Sequence, residues 1–295
     1  MRAVILLITL NCPIYLGAQD SINSKKLWTV GGGMLATQGI TIAGLNEVWY
    51  KNQPRSSFHF FNDNREWLQM DKAGHAYSAY QLARVANRTF LWAGMVEKKS
   101  ALWGSLAGWA SISTFEVLDG FSEAWGFSWG DIAANTLGAG LFLGQELAWR
   151  EQRIQLKFSS SPTPIAAYRP NLLGNSYPER LLKDYNGQTY WLSFTPFKKE
   201  NENKMPNWIS VSLGYSAYGM TGGFDNYNVY CNGDPDCFAL KRYRQLYLSL
   251  DVDWNRIKTG KKSLKTLFFL LNSIKIPFPA MEFSQNKVSL RALMF

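Results

Sequence analysis

Long runs of apolar and small residues in the N-terminal half of the chain predict helices. The first is LWTVGGGMLATQGITIAGLN, twenty residues without a charge between Lys26 and Glu47. This length could cross a bilayer, although the glycine triplet and the Thr and Gln residues make it a weak spanning segment. Three more helices are predicted: from Asp71 to about Trp92, across SALWGSLAGWASISTFEVLDGF, and across WGDIAANTLGAGLFLGQELAW.

Glycine spacing in two of these helices indicates close helix contacts. Gly104 and Gly108 are four residues apart, and so are Gly140 and Gly144. Residues at this spacing share a helix face, and glycine lets a neighbouring backbone approach that face closely. Because each glycine costs about 1 kcal/mol of helix propensity, we expect both pairs to lie at tight contacts.

After Arg153 the pattern changes to an alternation with period two, which predicts β-strands in TYWLSF, WISVSLGYSAYGM, RQLYLSLDVDW and KVSLRALMF. In the third of these, Leu246, Leu248 and Leu250 share one face, and Ser249 and Asp251 lie on the other. We expect the polar face to be the one in water. KSLKTLFFLLNSI predicts a helix, and the prolines of KIPFPAMEF predict an edge strand or an extended segment.

The predicted fold class is therefore α+β. A bundle of about four apolar, glycine-rich helices at 27–155 precedes an antiparallel β-rich part at 156–295, with the Ser/Pro-rich SSSPTPIAAYRP as a linker or edge segment. Five or six good strands favour a half-open sheet, packed on the helices or lying against a membrane, over a closed barrel.

Residues 1–19 predict a secretory signal peptide, because one arginine precedes an apolar run and a small-residue patch. Cys12 follows Asn11, where a lipoprotein signal has a small residue, so lipidation stays an open alternative. Cys231 and Cys237 flank the turn-forming NGDPD. An even cysteine count in an exported chain favours a disulfide between them.

The charge is uneven along the chain: residues 1–155 carry a net charge of +1 and residues 156–295 carry +8. A basic exported half could face membrane lipid, envelope glycan or another envelope protein, and plain solubility is the alternative. We expect no nucleic acid partner for an exported chain.

A small set of polar residues stands out against the apolar helices. Asp71 and His75 are four residues apart at the start of the second helix, so they share one face. Acids on apolar helices are costly unless they are paired or hydrated. The candidate catalytic residues are His75, Asp71 and Glu116, and the candidate ligand-binding residues are Lys72, Asp119, Asp131 and Asn135.

Three interpretations of this set remain open: a structural one, a functional one, and ligand binding without chemistry. In the structural one, Asp71 and Asp131 cap their helices and His75 hydrogen-bonds a buried acid. In the functional one, the imidazole acts as a base or, with the carboxylates, binds a hard or borderline cation. No HExxH or organic-cofactor motif occurs, so the sequence predicts no cofactor and leaves enzymatic activity and any metal open.

DKAGHAYSAY followed by FEVLDGFSEAWGFSWGDIAANTLGA resembles the YfiM-like family of predicted periplasmic lipoproteins and, more distantly, the VanZ-like membrane proteins. The shared pattern is a D-K-x-x-H helix start, a helix carrying Glu, and a D-x-x-x-N-x-x-G helix. The resemblance implies a small helical bundle at the periplasmic side of the cell envelope, associated with the outer membrane, and no established activity.

Three functions follow as hypotheses. The first is an exported envelope protein whose helical bundle packs at a membrane. The second is a metal- or His-dependent hydrolase or transferase acting on a lipid-linked or phosphorylated envelope substrate. The third is a small β-barrel-like protein of the outer membrane.

Overall fold

The computed structural model describes residues 22–51, 53–195, 206–226 and 240–294. The predicted signal peptide at 1–19, with Cys12, lies outside this part of the chain. The predicted disulfide between Cys231 and Cys237 lies outside it as well.

The N-terminal half is helical, as predicted. Its helices are α1 (Ser24–Leu45), α2 (Met70–Trp92), α3 (Glu97–Asp119) and α4 (Trp129–Trp149). The α2 helix packs against both α3 and α4. Among the described helices, none has both the length and the apolar character needed to cross a bilayer.

Glycines allow α3 and α4 to approach α2 closely, although not at every position predicted. A Cβ at Gly104 or Gly108 would collide with the α2 backbone at Asn87 or Ala83, so this pair lies at a tight contact as expected. Around Gly140 and Gly144 no described atom lies within 4 Å of a Cβ, so the prediction for the second pair is wrong. The close approach of α4 to α2 is made by Gly138, which lies against the carbonyl oxygen of Ala76.

The C-terminal half forms one antiparallel sheet, which confirms the α+β class. Its six strands follow each other in chain order: β1 (Ile154–Ser160), β2 (Gln188–Phe194), β3 (Ile209–Tyr218), β4 (Tyr243–Val252), β5 (Phe278–Ser284) and β6 (Lys287–Met294). The short helices α5 (Pro170–Leu173) and α6 (Tyr177–Lys183) precede β2, and α7 (Lys262–Leu271) precedes β5. Strand β1 begins at Ile154, next to the predicted boundary at 155, and was not predicted, although Ile154, Leu156 and Phe158 alternate there.

Strand β5 is not an edge strand, contrary to the expectation from its prolines. It pairs with β4 on one side and with β6 on the other. The sheet tolerates Pro279 because the register with β6 shifts between Phe278 and Ala280. A proline without an amide donor is accommodated at such an irregularity.

The buried face of β4 is also the opposite of the one expected. Ser249 and Asp251 are buried, at 5% and 2% exposed, whereas Leu246 and Leu250 are 55% and 50% exposed. The expectation of a wet polar face is wrong because the polar side chains satisfy one another inside. Ser193 and Ser212 hydrogen-bond at 2.6 Å, and the Ser193 hydroxyl donates to Asp251 at 2.6 Å.

The helices and the sheet meet through the start and middle of α2. Tyr77 of α2 packs against the rings of Phe158 in β1 and Tyr190 in β2. The hydroxyl of Tyr80 donates to the carbonyl oxygen of Ile154 at 3.3 Å. This contact fixes the N-terminal turn of α2, where the candidate site residues lie, between the sheet on one side and α3 and α4 on the other.

Candidate functional site: a histidine facing three carboxylates

Three helices bring their ionisable residues together around His75. Asp71, Lys72 and His75 occupy the first turns of α2, Glu116 lies near the end of α3, and Asp131 lies in the first turn of α4. The helices can approach closely because Gly138 has no side chain against Ala76. Glu116 and Asp131 are both 2% exposed. Glu116 and Asp131, distant from His75 in sequence, lie 3.4 and 3.6 Å from its Nε2 atom.

The imidazole of His75 has one nitrogen fixed and the other surrounded by carboxylates. Its Nδ1 lies 3.1 Å from the Oδ1 of Asn135, and the Asn135 amide donates to the Ser113 hydroxyl at 3.2 Å. With Asn135 Oδ1 as an acceptor, Nδ1 carries the proton. The Nε2 atom then lies 3.4 Å from Glu116 Oε1, 3.6 Å from Asp131 Oδ1 and 3.8 Å from Asp71 Oδ1.

Lys72 supplies a positive charge on the other side of the same acids. Its Nζ lies 2.7 Å from Asp63, 2.8 Å from Asp131 and 3.2 Å from Asp71. The lysine side chain is 15% exposed. Asp63 was missed by the sequence analysis, because it lies in a polar loop whose sequence gives no sign of a contact with α2.

The start of α4 is organised by a serine rather than by its own aspartate. The Ser128 hydroxyl accepts from the amide of Asp131 at 3.1 Å and donates to Asp63 at 2.6 Å. Asp131 therefore does not cap the helix. Its buried Oδ1 lies 2.8 Å from Lys72 Nζ and 3.6 Å from His75 Nε2, so the carboxylate pairs with the lysine ammonium and faces the imidazole.

Two tyrosines hold the outer carboxylates. The hydroxyl of Tyr185 donates to Asp71 at 2.6 Å, and the hydroxyl of Tyr50 donates to Asp119 at 2.5 Å. Asp119 thus has a hydrogen-bond partner of its own, in the segment after α1. Tyr185 comes from the segment before β2, so the β-rich half contributes to the site, which the sequence did not indicate.

Burial and mutual repulsion change the protonation of these groups. Burial raises the pKa of Glu116 to about 8, although His75 acts in the opposite direction. Burial likewise raises the pKa of Asp131, and the neighbouring Asp71 adds to this effect. Burial alone would lower the pKa of His75, but Asp71, Asp131 and Glu116 outweigh it and raise the pKa. The cluster therefore retains protons near neutral pH that isolated carboxyls would lose.

The remaining histidine has a structural environment. His59 Nε2 lies 2.6 Å from the carbonyl oxygen of Trp125, and its Nδ1 lies 3.2 Å from the Ser56 hydroxyl. The contact with Trp125 joins the loop before α2 to the loop between α3 and α4. His59 is therefore a natural control for experiments on His75.

Three residues of the site could together hold a metal ion. Asp71, His75 and Asp131 each offer one ligand atom, and these atoms lie within 4.8 Å of one another. A cation about 2.0–2.2 Å from each of two ligand atoms holds them roughly 3.3–3.5 Å apart in a tetrahedral arrangement. The separation of His75 Nε2 from Glu116 Oε1 is 3.4 Å. Asn135 would be the outer partner that fixes the ring, as in metal sites generally.

Comparison with known proteins gives one match. Residues 59–143 match the model of a family described as "Predicted periplasmic lipoprotein (DUF2279)". No curated protein and no solved structure matches. The matched segment is less than a third of the chain, but it contains every predicted residue of the helical site and Asp63. The match supports the periplasmic side of the cell envelope as the location of this protein.

Proposed function

We propose that this chain is an exported protein of the cell envelope, packed at a membrane and associated with the outer membrane, whose helical bundle binds a divalent cation. The ligands are His75, Asp71, Glu116 and Asp131. The observation that carries the proposal is the Nε2 atom of His75, which faces three carboxylate oxygens at 3.4–3.8 Å while Asn135 holds Nδ1. The proposal includes the similarity of this chain to the YfiM-like and VanZ-like proteins.

Charge balance is the physical reason for a cation. Asp63, Asp71, Glu116 and Asp131 surround one lysine and one histidine, so fully ionised carboxylates would leave excess negative charge in a mostly buried place. Buried charge without compensation is expensive. Protons compensate when no metal is bound, which agrees with the raised pKa values of Glu116 and Asp131. A divalent cation would replace these protons.

The ligand chemistry favours a borderline cation. One imidazole nitrogen with three carboxylate oxygens suits Zn²⁺ or Mn²⁺ better than Ca²⁺, which takes six to eight oxygens. With Nδ1 protonated, the lone pair of Nε2 points to the space that the carboxylates share.

Metal titration tests the proposal directly. After dialysis against a chelator, the wild-type chain should bind one equivalent of Zn²⁺ or Mn²⁺ in isothermal titration calorimetry. His75→Ala should lose at least about 100-fold in affinity, whereas His59→Ala should bind like the wild type. Absence of binding by the wild type, or equal loss in both variants, would contradict a cation site at His75.

A second candidate function is hydrolysis or group transfer on a phosphorylated, lipid-linked substrate. Lys72 favours it, because its ammonium lies beside the carboxylates and could receive a phosphate oxygen. Glu116, with a pKa raised to about 8, can accept and return a proton near neutral pH. Release of inorganic phosphate from vesicles containing phosphatidic acid, lost in Glu116→Gln, would support this activity. Metal binding without phosphate release would leave the first function standing and remove this substrate.

A further inference from the structure

The exposed face of the sheet is a continuous apolar surface. Register across the strands aligns one residue from each strand in a row: Leu156, Leu192, Leu213, Leu248, Met281 and Leu290. A neighbouring row brings Phe194, Val211 and Leu250 together. On the other side of the first row lie Leu246, Phe283 and Val288. We call these rows the apolar sheet face.

The opposite face of β1 to β5 is buried and rich in polar side chains, although it also holds the Trp191 and Tyr247 cluster. Lys157 and Asp251 form an ion pair at 2.8 Å, with both side chains fully buried. Gln245 donates to Glu282 at 2.8 Å, and Glu282 also pairs with Arg291 at 2.6 Å. An antiparallel sheet in water buries its apolar face and exposes its polar face. Here the orientation is reversed: charged and polar side chains pair on the buried face, and the leucines lie on the exposed face.

The helices already use one end of the apolar sheet face. Leu156 packs with the Tyr80 and Phe142 cluster of α2 and α4, and Tyr190 contacts Tyr77. Beyond β2 the same face is exposed in the part of the chain that the structure describes, with Leu213 57% and Leu290 81% exposed. The exposed rows therefore continue the face that, at β1 and β2, packs against the helices and excludes water.

The dimensions of the uncovered rows fit one leaflet of a bilayer. Three rows, each two residues from the next along a strand, extend roughly 14 Å along the strand direction. The hydrocarbon core of a bilayer is about 30 Å thick. The apolar sheet face is thus deep enough to enter one leaflet and too shallow to cross both.

Exposed cations follow one end of the rows. Arg244 lies two residues before Leu246 on the same face of β4, Lys287 directly precedes Val288 in β6, and both are exposed. Basic side chains close to an apolar surface can pair with lipid phosphates when that surface enters a membrane. This combination favours phospholipid over an apolar protein surface as the occupant of the face.

We propose that the apolar sheet face inserts into the outer part of a phospholipid bilayer and anchors the protein on one leaflet. The proposal depends on the envelope location in the proposed function and is independent of the cation site. The polar interior of the sheet stays within the protein, and the leucine rows replace water with acyl chains. Transfer of apolar side chains from water into hydrocarbon is the driving force.

Vesicle flotation of the purified full chain, freed of detergent, tests this proposal. We expect the wild type to float with vesicles of phosphatidylethanolamine and phosphatidylglycerol, and to remain bound at about 0.5 M NaCl, where charge attraction is screened. The double variant Leu213→Ser/Leu250→Ser should lose at least about tenfold in partitioning, since two exposed leucines leave the face. The matched control is Leu172→Ser/Leu182→Ser, on α5 and α6, which should float like the wild type.

Each contrary result has a distinct meaning. A wild type that does not float, or that floats only at low salt with anionic vesicles, overturns the insertion of the apolar sheet face. So does an equal loss in the control double variant. A dimer in sedimentation that Leu290→Ser disrupts, without flotation, would assign the face to a second copy of the chain. Circular dichroism establishes that the variants are folded, and unchanged flotation of His75→Ala separates this proposal from the cation site.

Discussion

The Nε2 atom of His75 lies 3.4 Å from the Oε1 atom of Glu116, across the contact between α2 and α3. The two residues belong to different helices, and the glutamate is almost fully buried. In this contact the His75 imidazole gains a proton more readily than an isolated histidine, and the Glu116 carboxyl loses one less readily than an isolated glutamate. Asp71 and Asp131 lie within 3.8 Å of the same imidazole nitrogen. Four predictions follow from this packing.

Removing the amide oxygen that orients His75 should weaken cation binding. Asn135→Ala should lower the affinity for Zn²⁺ about 10–100-fold in calorimetry, because Nδ1 loses its acceptor and the ring is no longer held. Ser113→Ala, which removes only the acceptor for the Asn135 amide, should have a smaller effect. An unchanged affinity in Asn135→Ala would show that the ring orientation does not depend on this bond.

Without a metal, stability should fall as pH rises. Burial raises the pKa of Glu116 from 4.5 to about 8, so between these values the folded state holds a proton that the unfolded state has lost. This stabilising contribution is complete below about pH 4.5 and is lost as pH rises through about 8. Glu116→Gln should flatten this part of the profile by roughly 1–3 kcal/mol in denaturant titrations. A wild-type profile that rises over this range would contradict the protonated state of Glu116.

Lys72 should be important for stability despite its charge. Lys72→Met leaves Asp63, Asp71 and Asp131 without their shared counter-ion, and we expect a loss of about 3 kcal/mol in the free energy of unfolding. Addition of a divalent cation should recover part of this loss. Lys51→Met is the control: its pair with Glu47 is 59% and 63% exposed, so its loss should stay below about 1 kcal/mol.

The contact between α2 and α4, which forms the site, should depend on the absence of a side chain at Gly138. Gly138→Ala places a methyl group against the carbonyl oxygen of Ala76 and should destabilise the fold by about 1–3 kcal/mol, and cation affinity should fall with it. Gly140→Ala, on the same helix but with open space around it, should be neutral or stabilising by up to about 1 kcal/mol. Similar thermal unfolding of the two variants would mean that the α2–α4 distance is not set by Gly138.

Local sequence determined much of the secondary structure. The α4 helix has the bounds that its uncharged core predicted, and the start of α2 lies within one residue of Asp71. The spacing of apolar side chains along the chain identifies such elements, because each residue's position in the pattern places it on one turn of a helix or one face of a strand. The same information placed His75 and Asp71 on one side of α2, and it singled out Glu116 and Asp131 as acids in need of partners.

Contacts between distant segments were decided by the tertiary structure alone. Asp63 and Tyr185 join the site from a loop and from the β-rich half, and no local pattern marks them. Alternation in β4 identified two faces but could not say which one is buried, since a strand has the same period in water and against lipid. That choice depends on the partners of Asp251, namely Lys157 and Ser193, which lie on other strands.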